Sequence, residues 1–426
     1  MGHGEALLAS DLPALLPHAH RFCAIDDGQI ADLRADSVAL CTAADGARVE
    51  PAFKPIELRI DQVSKGDHPT FMAKEIAEQP AVLSRLLDSR LRAGRLITPD
   101  LNLDLKKVRR LVVLACGTSW HAALLGKRFI EQYARLPVEV DISSEYRYRN
   151  PVVDGDTLVL VISQSGETAD TLAGLRLARS KFMPVVSLVN VVDSTIARES
   201  DGVLPLLAGP EIGVASTKAY TAQVLALHLF ALQIARAQGN LAEADEVRLL
   251  SHLAALPDLV GRTLAGCADA VQEAGDLFEA ATATSFLGRG SEHATALEGA
   301  LKLKEIAYVH AAGYAAGEFK HGPIALVSQA LPVVCLCPRD AMHEKMLSNV
   351  EEVRARHGRI IAVGQADDRR LRDASDVVLP VLAPGDEALQ PLLSILPLQR
   401  YALEIATRRG CDVDQPRNLA KSVTVE

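Results

Sequence analysis

From Arg109 onward, the chain alternates short apolar runs with amphipathic segments. The apolar runs predict strands at 111–115, 159–162, 184–190 and 203–206. Amphipathic segments at 120–136 and 169–179 predict helices, and a long apolar helix is predicted to end at Arg236. Strands that alternate with helices are typical of a parallel sheet covered on both faces. The sequence therefore predicts an α/β fold for this part of the chain.

An internal repeat extends this pattern to the second half of the chain. The segment Ser-Asp-Gly-Val-Leu-Pro-Leu-Leu-Ala at 200–208 returns as Ser-Asp-Val-Val-Leu-Pro-Val-Leu-Ala at 375–383, and 111–119 has a counterpart near 285–291. The second copy also ends in a long apolar helix, at Arg408. Repeats of this length indicate tandem structural units. We therefore predict two similar α/β domains, at 104–245 and 275–410, with one active site built across them.

Residues 1–60 have a different pattern. We predict one hairpin from strands at 22–25 and 29–33, joined by a turn at 26–28, and a second hairpin from 37–42 with a turn at 44–46. A few hairpins are too small to hold a core by themselves. The following segment, 61–103, is predicted to be a helical connector and linker. Its helix at 71–87 should be interrupted or kinked by Pro80, and 91–107 should be a polar linker.

Composition narrows the class of protein. The chain has 426 residues, 49% apolar residues and a net charge of -9. It has no apolar run of about 18 residues and no basic-then-apolar leader, so we expect a soluble cytoplasmic protein. The negative charge argues against nucleic acid as the main partner. The seven cysteines are scattered, which favours reduced thiols over a disulfide or metal framework.

The strongest candidate for chemistry is the predicted helix at 296–308. Glu298, Lys302 and Glu305 fall at i, i+4 and i+7 and therefore share one face of this helix. A solvated ion-pair face is the alternative interpretation. The helix is followed by small residues and a His-Gly-Pro turn that contains His321. A carboxylate, an amine and an imidazole in one unit are the groups that proton transfer on a sugar needs.

Two loops of the first domain are predicted to bind phosphate. Cys116-Gly117-Thr118-Ser119 and Ser163-Gln164-Ser165-Gly166-Glu167-Thr168 each place hydroxyl residues and a glycine between a strand and a helix. Backbone N–H groups and the helix dipole favour an anion at that edge of the sheet. Ordinary helix capping by serine and threonine is the alternative for either loop alone.

The last segment, 411–426, contains one lysine in a small, apolar-flanked setting, Leu-Ala-Lys421-Ser-Val. A desolvated lysine has a lowered pKa and can form a Schiff base with a carbonyl. A solvated chain end is the alternative interpretation.

Together these motifs resemble the family of glutamine–fructose-6-phosphate aminotransferases (isomerizing), the glucosamine-6-phosphate synthases. The motifs of the resemblance are the two loops above, Val214-Ala-Ser-Thr-Lys218, Glu298-Gly-Ala-Leu-Lys-Leu-Lys-Glu305, Lys320-His-Gly-Pro323 and the tail from Asp414 to Glu426. The resemblance runs from about Ala9 to the end of the chain. It implies two tandem sugar isomerase (SIS) domains, whereas the loops alone would indicate only the broader SIS domain family.

The resemblance also implies roles for individual residues. Lys421 would form a Schiff base with C2 of fructose 6-phosphate, Glu305 would move a proton between C1 and C2 with help from Lys302, and His321 would open the sugar ring. In the family this histidine comes from the neighbouring subunit, which implies a homodimer. No metal or organic cofactor is implied. Substrate binding would fall to Ser163, Gln164, Ser165 and Thr168 at the phosphate, and to Thr118, Ser119, Ser216, Cys116, Gly117, Val214 and Glu298 around the sugar.

The N-terminal part departs from the family pattern. The family begins with a glutaminase domain whose first cysteine is the nucleophile, whereas here Met1 precedes Gly2 and residues 1–60 resemble only the final strands of that domain. We therefore expect the reaction to use ammonia, either free or from a separate glutaminase. Two alternatives stay open, namely another SIS-type sugar-phosphate isomerase or deglycase, and a non-catalytic sugar-phosphate-binding protein.

Overall fold

The computed structural model describes residues 1–2, 4–9, 15–56, 60–92, 94–97, 101, 103–152 and 155–425. The chain divides into two compact units, Met1–Pro69 and Thr70–Glu426. Every candidate site residue named above belongs to the second unit.

The first unit consists of short antiparallel strands. They are β1 (Arg21–Phe22), β2 (Gln29–Arg34), β3 (Ser37–Thr42), β4 (Arg48–Val49) and β5 (Lys54–Pro55), followed by a 3-10 helix (Ile60–Val63). β2, β3 and β4 form one sheet in that order, and β1 pairs with β5. The predicted second hairpin, β3 with β4, is confirmed.

The predicted first hairpin is wrong. Phe22 pairs with Lys54 instead of with the 29–33 segment, and β2 pairs with β3 through a two-residue connection. The predicted turn does form, since the amide of Gln29 donates to the carbonyl of Asp26 over 3.1 Å. The Gln29 side chain also accepts from the Asp26 amide over 3.0 Å. These two bonds close the turn locally, but β1 ends at Phe22, so no strand precedes the turn to pair with β2.

The second unit begins with helix α1 (Phe71–Arg90), which runs without interruption through Pro80. A proline removes the amide that would bond the carbonyl four residues earlier, here that of Ile76. The side-chain amide of Gln79 donates to this carbonyl over 3.0 Å. The buried carbonyl therefore keeps a partner, which explains why the predicted interruption does not occur.

The predicted polar linker at 91–107 is partly core. It contains a short antiparallel pair, β6 (Leu91–Arg92) and β7 (Arg95–Leu96). Leu96, Leu101 and Leu105 are each buried in the main hydrophobic core. The segment was predicted to be a polar linker because polar residues separate these leucines, which recur every four to five residues and anchor the segment to the core.

The first parallel sheet has five strands in the order β12-β11-β10-β8-β9. The strands are β8 (Arg110–Ala115), β9 (Val138–Ile142), β10 (Thr157–Ser163), β11 (Val185–Val189) and β12 (Gly202–Pro205). The helices of this part are α2 (Gly117–Phe129), α3 (Ser143–Tyr146), α4 (Ala169–Ser180), α5 (Thr195–Glu199) and α6 (Lys218–Ala237), and α2 continues into a π-helical turn (Ile130–Ala134). The predicted turn at 116–119 is in fact the first turn of α2.

The second parallel sheet has the same topology. Its order is β14-β13-β15-β16-β17, built from β13 (Ala283–Gly288), β14 (His310–Ala315), β15 (Val333–Leu336), β16 (Ile360–Gly364) and β17 (Val377–Pro380). Its helices are α9 (Glu292–Ala307), α10 (His343–Arg354), α11 (Arg369–Ala374) and α12 (Gln390–Arg408), with 3-10 turns at Glu318–His321, Pro323–Leu326 and Glu387–Leu389. The predicted repeat and the α/β fold are confirmed, because equivalent strands occupy equivalent places in the two sheets.

Two helices that the sequence did not predict, α7 (Glu243–Gly266) and α8 (Ala268–Phe278), connect the two sheets. Helix α9 packs on α12, on strands β13 and β14 and on α2 of the first sheet. This packing brings the predicted catalytic helix against the helix that begins with the first loop motif. Among the described residues, no helix is long and apolar enough to cross a membrane.

Candidate active site

A charged cluster lies where α9 packs on α2. The Lys302 ammonium is 3.2 Å from Glu298 Oε1 and 2.7 Å from Glu305 Oε2, as the helical spacing predicts. It also donates to the Thr118 hydroxyl over 3.0 Å, and Thr118 donates to Glu298 Oε1 over 3.0 Å. His121 Nδ1 lies 2.7 Å from the other Glu298 oxygen. The cluster therefore joins residues of both repeats.

Burial distinguishes this cluster from a solvated ion-pair face. The side chains of Glu298 and Lys302 are fully buried, whereas that of Glu305 is 21% exposed. Burial opposes the charge of Lys302, but Glu298 and Glu305 outweigh burial and raise the pKa of Lys302 above its ordinary value. Burial likewise opposes ionisation of Glu298, yet Lys302 and His121 lower its pKa. The ammonium is thus held charged, with the partly open Glu305 carboxylate as its neighbour toward solvent.

The second loop motif forms a tight hydroxyl-lined turn at the end of β10. Ser163 Oγ lies 2.9 Å from Thr168 Oγ1 and accepts from the Gly166 amide over 3.0 Å. The Ser165 hydroxyl accepts from the Glu167 amide over 3.2 Å. Helix α4 begins directly after Thr168. A helix start with adjacent hydroxyl groups is a favourable place for a phosphate.

Gly166 is required by the geometry of this loop. Its φ is +69°, and a Cβ at this position would lie 1.9 Å from the Ser194 hydroxyl oxygen. Both the backbone conformation and the space exclude a larger residue. Because β8 and β10 are neighbours in the sheet, the loop that follows each strand lies at the same edge.

The tail lysine lies on a loop of the first repeat. Lys421 Nζ donates to Glu211 Oε2 over 2.7 Å and to the Gly213 carbonyl over 2.8 Å. Its side chain is 24% exposed, whereas that of Glu211 is fully buried. The amine is therefore fixed on one side and open on the other, which argues against a solvated chain end.

Glu211 is the acceptor centre of this loop. Its Oε1 accepts from the amides of Thr217 and Ala219, and its Oε2 accepts from the Ser216 hydroxyl as well as from Lys421. Burial opposes the charge of Glu211, but Lys421 and these hydrogen bonds lower its pKa below the ordinary value. Ser216, a predicted sugar-site residue, is thereby placed next to the lysine.

The tail is held at two further points. The Asp414 carboxylate accepts from the amides of Phe71 and Met72, each over 3.0 Å, at the start of α1. Beyond Lys421, the Val423 carbonyl accepts from the Ala169 amide over 3.1 Å, at the start of α4. The tail therefore extends from the Glu211 loop to the helix that follows Ser163–Thr168.

The structure places the remaining predicted residues as follows. Ser119 accepts from Gln223 of α6 over 2.9 Å, and the Val214 amide donates to the Asp414 carbonyl over 3.1 Å. The Gln164 carbonyl accepts from the Asn190 amide over 3.2 Å. Cys116 occupies the N-cap position of α2 without a side-chain hydrogen bond to the helix, and Gly117 is the first residue of the helix. His321 is exposed at the end of a 3-10 helix after β14.

Sequence reasoning missed three residues of the site. His121 is two residues beyond the first loop motif, and Glu211 lies three residues before Val214. Glu75 of α1 accepts from the amide of Gly213, whose carbonyl bonds Lys421. Their proximity to recognised motifs was the available signal for His121 and Glu211. Glu75 has no such signal.

Comparison with known proteins gives the family. The SIS domain family model matches residues 104–233 and 278–408. A glutamine–fructose-6-phosphate aminotransferase (isomerizing) from Chlorobaculum tepidum is 45% identical over 432 residues, which span 100% of this chain and 70% of the relative. The enzyme of the same name from Thermus thermophilus is 48% identical over 429 residues, with the same shares covered.

The chain belongs to the glutamine–fructose-6-phosphate aminotransferase (isomerizing) family. A solved structure agrees with this assignment. The C-terminal domain of glucosamine-fructose-6-phosphate aminotransferase from Francisella tularensis is 40% identical, with a TM-score of 0.79 over 83% of this chain and 99% of that domain. The predicted tandem SIS architecture and the predicted family are thus confirmed.

Proposed function

We propose that the chain converts fructose 6-phosphate to glucosamine 6-phosphate by amination and ketose–aldose isomerisation, with free or externally supplied ammonia as the nitrogen source. The observation that carries this proposal is the course of the tail. Lys421 is held by Glu211, and two residues later Val423 bonds the start of α4 at the Ser163–Thr168 loop. Two residues of backbone span at most about 7 Å, so the tail next to Lys421 runs beside the phosphate loop, and we infer that both serve one small substrate.

In this proposal the phosphate binds at the Ser163–Thr168 loop, and Gln164 and Ser165 lie in the same turn. The start of α4 contributes the favourable end of its dipole to the anion. The sugar would extend toward Ser216 and Thr118. Thr118 links it to the buried cluster, since its hydroxyl contacts both Glu298 and Lys302.

Lys421 supplies the covalent step. Its amine adds to the C2 carbonyl, water leaves, and an imine forms. The ammonium must first lose a proton, and Glu211 Oε2, which is 2.7 Å from Nζ, is the acceptor in contact with it. Ammonia then displaces the lysine from the imine, which leaves the ketose imine and regenerates the free amine.

Glu305 supplies the isomerisation step. Its carboxylate is the partly exposed member of the α9 cluster and would take a proton from C1 of the ketose imine and return it at C2. In the same conversion the C1 hydroxyl loses its proton as the aldehyde forms, and the imine nitrogen gains one as it becomes the amine. This transfer converts the ketose imine into the aldose amine without a net change in protons. Lys302, which is kept charged by Glu298, would stabilise the oxygen at C1 while the proton moves.

We further propose that the site works in a homodimer, in which His321 of one subunit opens the sugar ring bound by the other. The exposed position of His321 leaves it available to a second copy of the chain. An imidazole is suited to this step because its ordinary pKa lies near neutrality.

Three of the five thiols in the Thr70–Glu426 unit are poorly suited to attack a glutamine amide. Burial raises the pKa of Cys267, Cys335 and Cys337 above the ordinary value of a thiol. A glutamine amide needs a thiolate nucleophile, which these three side chains do not offer at neutral pH.

The test incubates the purified chain with fructose 6-phosphate and either ammonium or glutamine, and measures glucosamine 6-phosphate. We expect product with ammonium alone. Lys421→Arg keeps the positive charge beside Glu211 but forms no imine, so product should be lost. Glu305→Gln should lower the rate by at least about 100-fold, as expected for loss of a general base. Product from glutamine would refute the proposed nitrogen source, and unchanged activity in Lys421→Arg would refute the covalent step.

A further inference from the structure

Helix α1 contributes one buried carboxyl group to which the proposed reaction assigns no role. Glu75 is only 2% exposed. Its Oε1 accepts from the Ile212 amide over 2.6 Å and from the Gly213 amide over 3.1 Å. A buried side chain that bonds two successive amides fixes the course of that backbone.

The backbone that Glu75 fixes is the one that holds Lys421. Gly213 receives a hydrogen bond from Lys421 at its carbonyl and donates one to Glu75 from its amide. Glu211, the other acceptor of the lysine, precedes this pair of amides by one residue. Glu75 is therefore connected to the lysine amine through the single residue Gly213 on one side and through the three-residue segment 211–213 on the other.

The second carboxyl oxygen of Glu75 is buried and has no hydrogen-bond partner among the described residues. Burial and the neighbouring charge of Glu211 raise the pKa of Glu75 to about 8, which favours the neutral form of this carboxyl group at pH 7. A neutral carboxyl group does not compete with Glu211 for the ammonium. A buried polar atom without a partner costs stability, which is the pattern expected where function sets the geometry.

Helix α1 is anchored to the same region at two other positions. Its first amides are bonded by Asp414 of the tail. One turn after Glu75, the carboxylate of Glu78 lies 2.5 Å from the ammonium of Lys218, at the start of α6. Helix α1 therefore bonds the tail before Lys421 and both ends of the loop on which Lys421 rests.

We propose that Glu75 is a positioning residue that holds the Glu211–Gly213 backbone so that the Lys421 amine meets the substrate carbonyl at a fixed position. This inference rests on the proposed function, because it concerns the rate at which Lys421 forms its imine. Glu75 does not touch the substrate. Its loss should slow imine formation while phosphate binding stays intact.

The test traps the imine. Wild-type chain and variants are mixed with fructose 6-phosphate and borohydride, which delivers hydride to the imine carbon and leaves a stable secondary amine on Lys421. Mass spectrometry then gives the rate of labelling at Lys421. Binding is measured separately by calorimetry with sorbitol 6-phosphate, which carries the phosphate but no carbonyl.

We expect Glu75→Ala to slow labelling by roughly 10- to 100-fold, the range that a misplacement of about 1 Å produces. The affinity for sorbitol 6-phosphate should change by less than about threefold. Glu75→Gln should restore most of the rate, because its amide oxygen is neutral and can accept the same two backbone bonds. If Glu75→Ala does not fold, Glu75→Asp, whose carboxyl group is one methylene shorter, should slow labelling in the same way.

Glu246→Ala is the matched control. Glu246 of α7 is also a buried carboxyl group that accepts from a backbone amide, that of Leu96 over 3.4 Å, but it does not bond the Ile212–Gly213 amides. We expect labelling at the wild-type rate in this variant. The inference is overturned if Glu75→Ala labels as fast as wild type, or if Glu246→Ala is slowed as much as Glu75→Ala. Absence of labelling in the wild-type chain would instead refute the proposed function.

Discussion

Replacing Lys302 with methionine tests the electrostatics of the α9 cluster. The side chain of Lys302 is fully buried, and its ammonium contacts Glu298, Glu305 and Thr118. Methionine keeps most of the volume but removes the charge, so the buried Glu298 carboxylate loses its ammonium partner. Removing one partner of a buried ion pair costs about 3 to 5 kcal/mol.

This cost converts to a measurable shift in melting temperature. For a unit the size of Thr70–Glu426, 3 to 5 kcal/mol corresponds to a fall in Tm of roughly 4 to 7 °C. Scanning calorimetry at pH 7.5 would measure it. The same variant should lose product formation, because Glu305 would no longer have its ammonium neighbour.

The double variant Lys302→Met with Glu298→Gln supplies the control. It removes both buried charges, so no uncompensated carboxylate stays in the interior, and Tm should return to within about 2 °C of wild type. If the single variant melts within 1 °C of wild type, as a loss of about 1 kcal/mol or less would produce, Lys302 does not compensate a buried charge on Glu298. The electrostatic argument is equally refuted if the double variant is no more stable than the single one.

Three further predictions concern other groups. Burial raises the pKa of Glu292 from an ordinary 4.5 to about 8 in the folded chain. Between pH 4.5 and 8 the folded chain therefore holds a proton that the unfolded chain has lost, so the free energy of unfolding should fall as the pH rises. Glu292→Gln should reduce this fall by about 1.4 kcal/mol per pH unit between pH 5.5 and 7.5 in urea titrations, and an unchanged slope would contradict the assignment. Gly166→Ala places a Cβ 1.9 Å from the Ser194 hydroxyl oxygen and should therefore distort the loop. Calorimetry should show fructose 6-phosphate binding weakened by at least about 10-fold, and wild-type affinity would exclude this loop as the phosphate site. When His321→Asn and Lys421→Arg chains are mixed, about half of the dimers are hybrids, and each hybrid has one intact site if His321 acts across the interface. The mixture should therefore regain about a quarter of wild-type activity, whereas complete inactivity would place His321 in the site of its own subunit.

Much of the fold could be predicted because its central strands are continuous apolar runs. Two strands at sheet edges, β9 and β14, were missed because they are not continuous apolar runs. Their sequences, VEVDI and HAAGYA, contain charged or small residues, which an edge strand tolerates because one of its sides has no neighbour in the sheet. The continuity of α1 also depended on a side-chain contact, from Gln79 to the Ile76 carbonyl, that no rule on proline anticipates.

The part of the site that depends on local spacing could be predicted from the sequence, and the part that depends on long-range contacts could not. Helical spacing was sufficient to place Glu298, Lys302 and Glu305 on one face. The partner of Lys421, by contrast, is 210 residues away in the sequence. Asp414 fixes the tail on α1 and so brings Lys421 to Glu211. The periodicity of apolar residues along the chain does not predict where the tail packs.

The most direct test of the central claim follows both atoms of the reaction at once. The chain is incubated with fructose 6-phosphate labelled with ¹³C at C2 and with ¹⁵N-ammonium, and the products are observed by NMR. The account predicts that the labelled carbon becomes an amine-bearing carbon coupled to ¹⁵N, in an aldose 6-phosphate. Labelled glucose 6-phosphate without nitrogen would show an isomerase instead, and unchanged fructose 6-phosphate would contradict the assignment of catalysis to this chain.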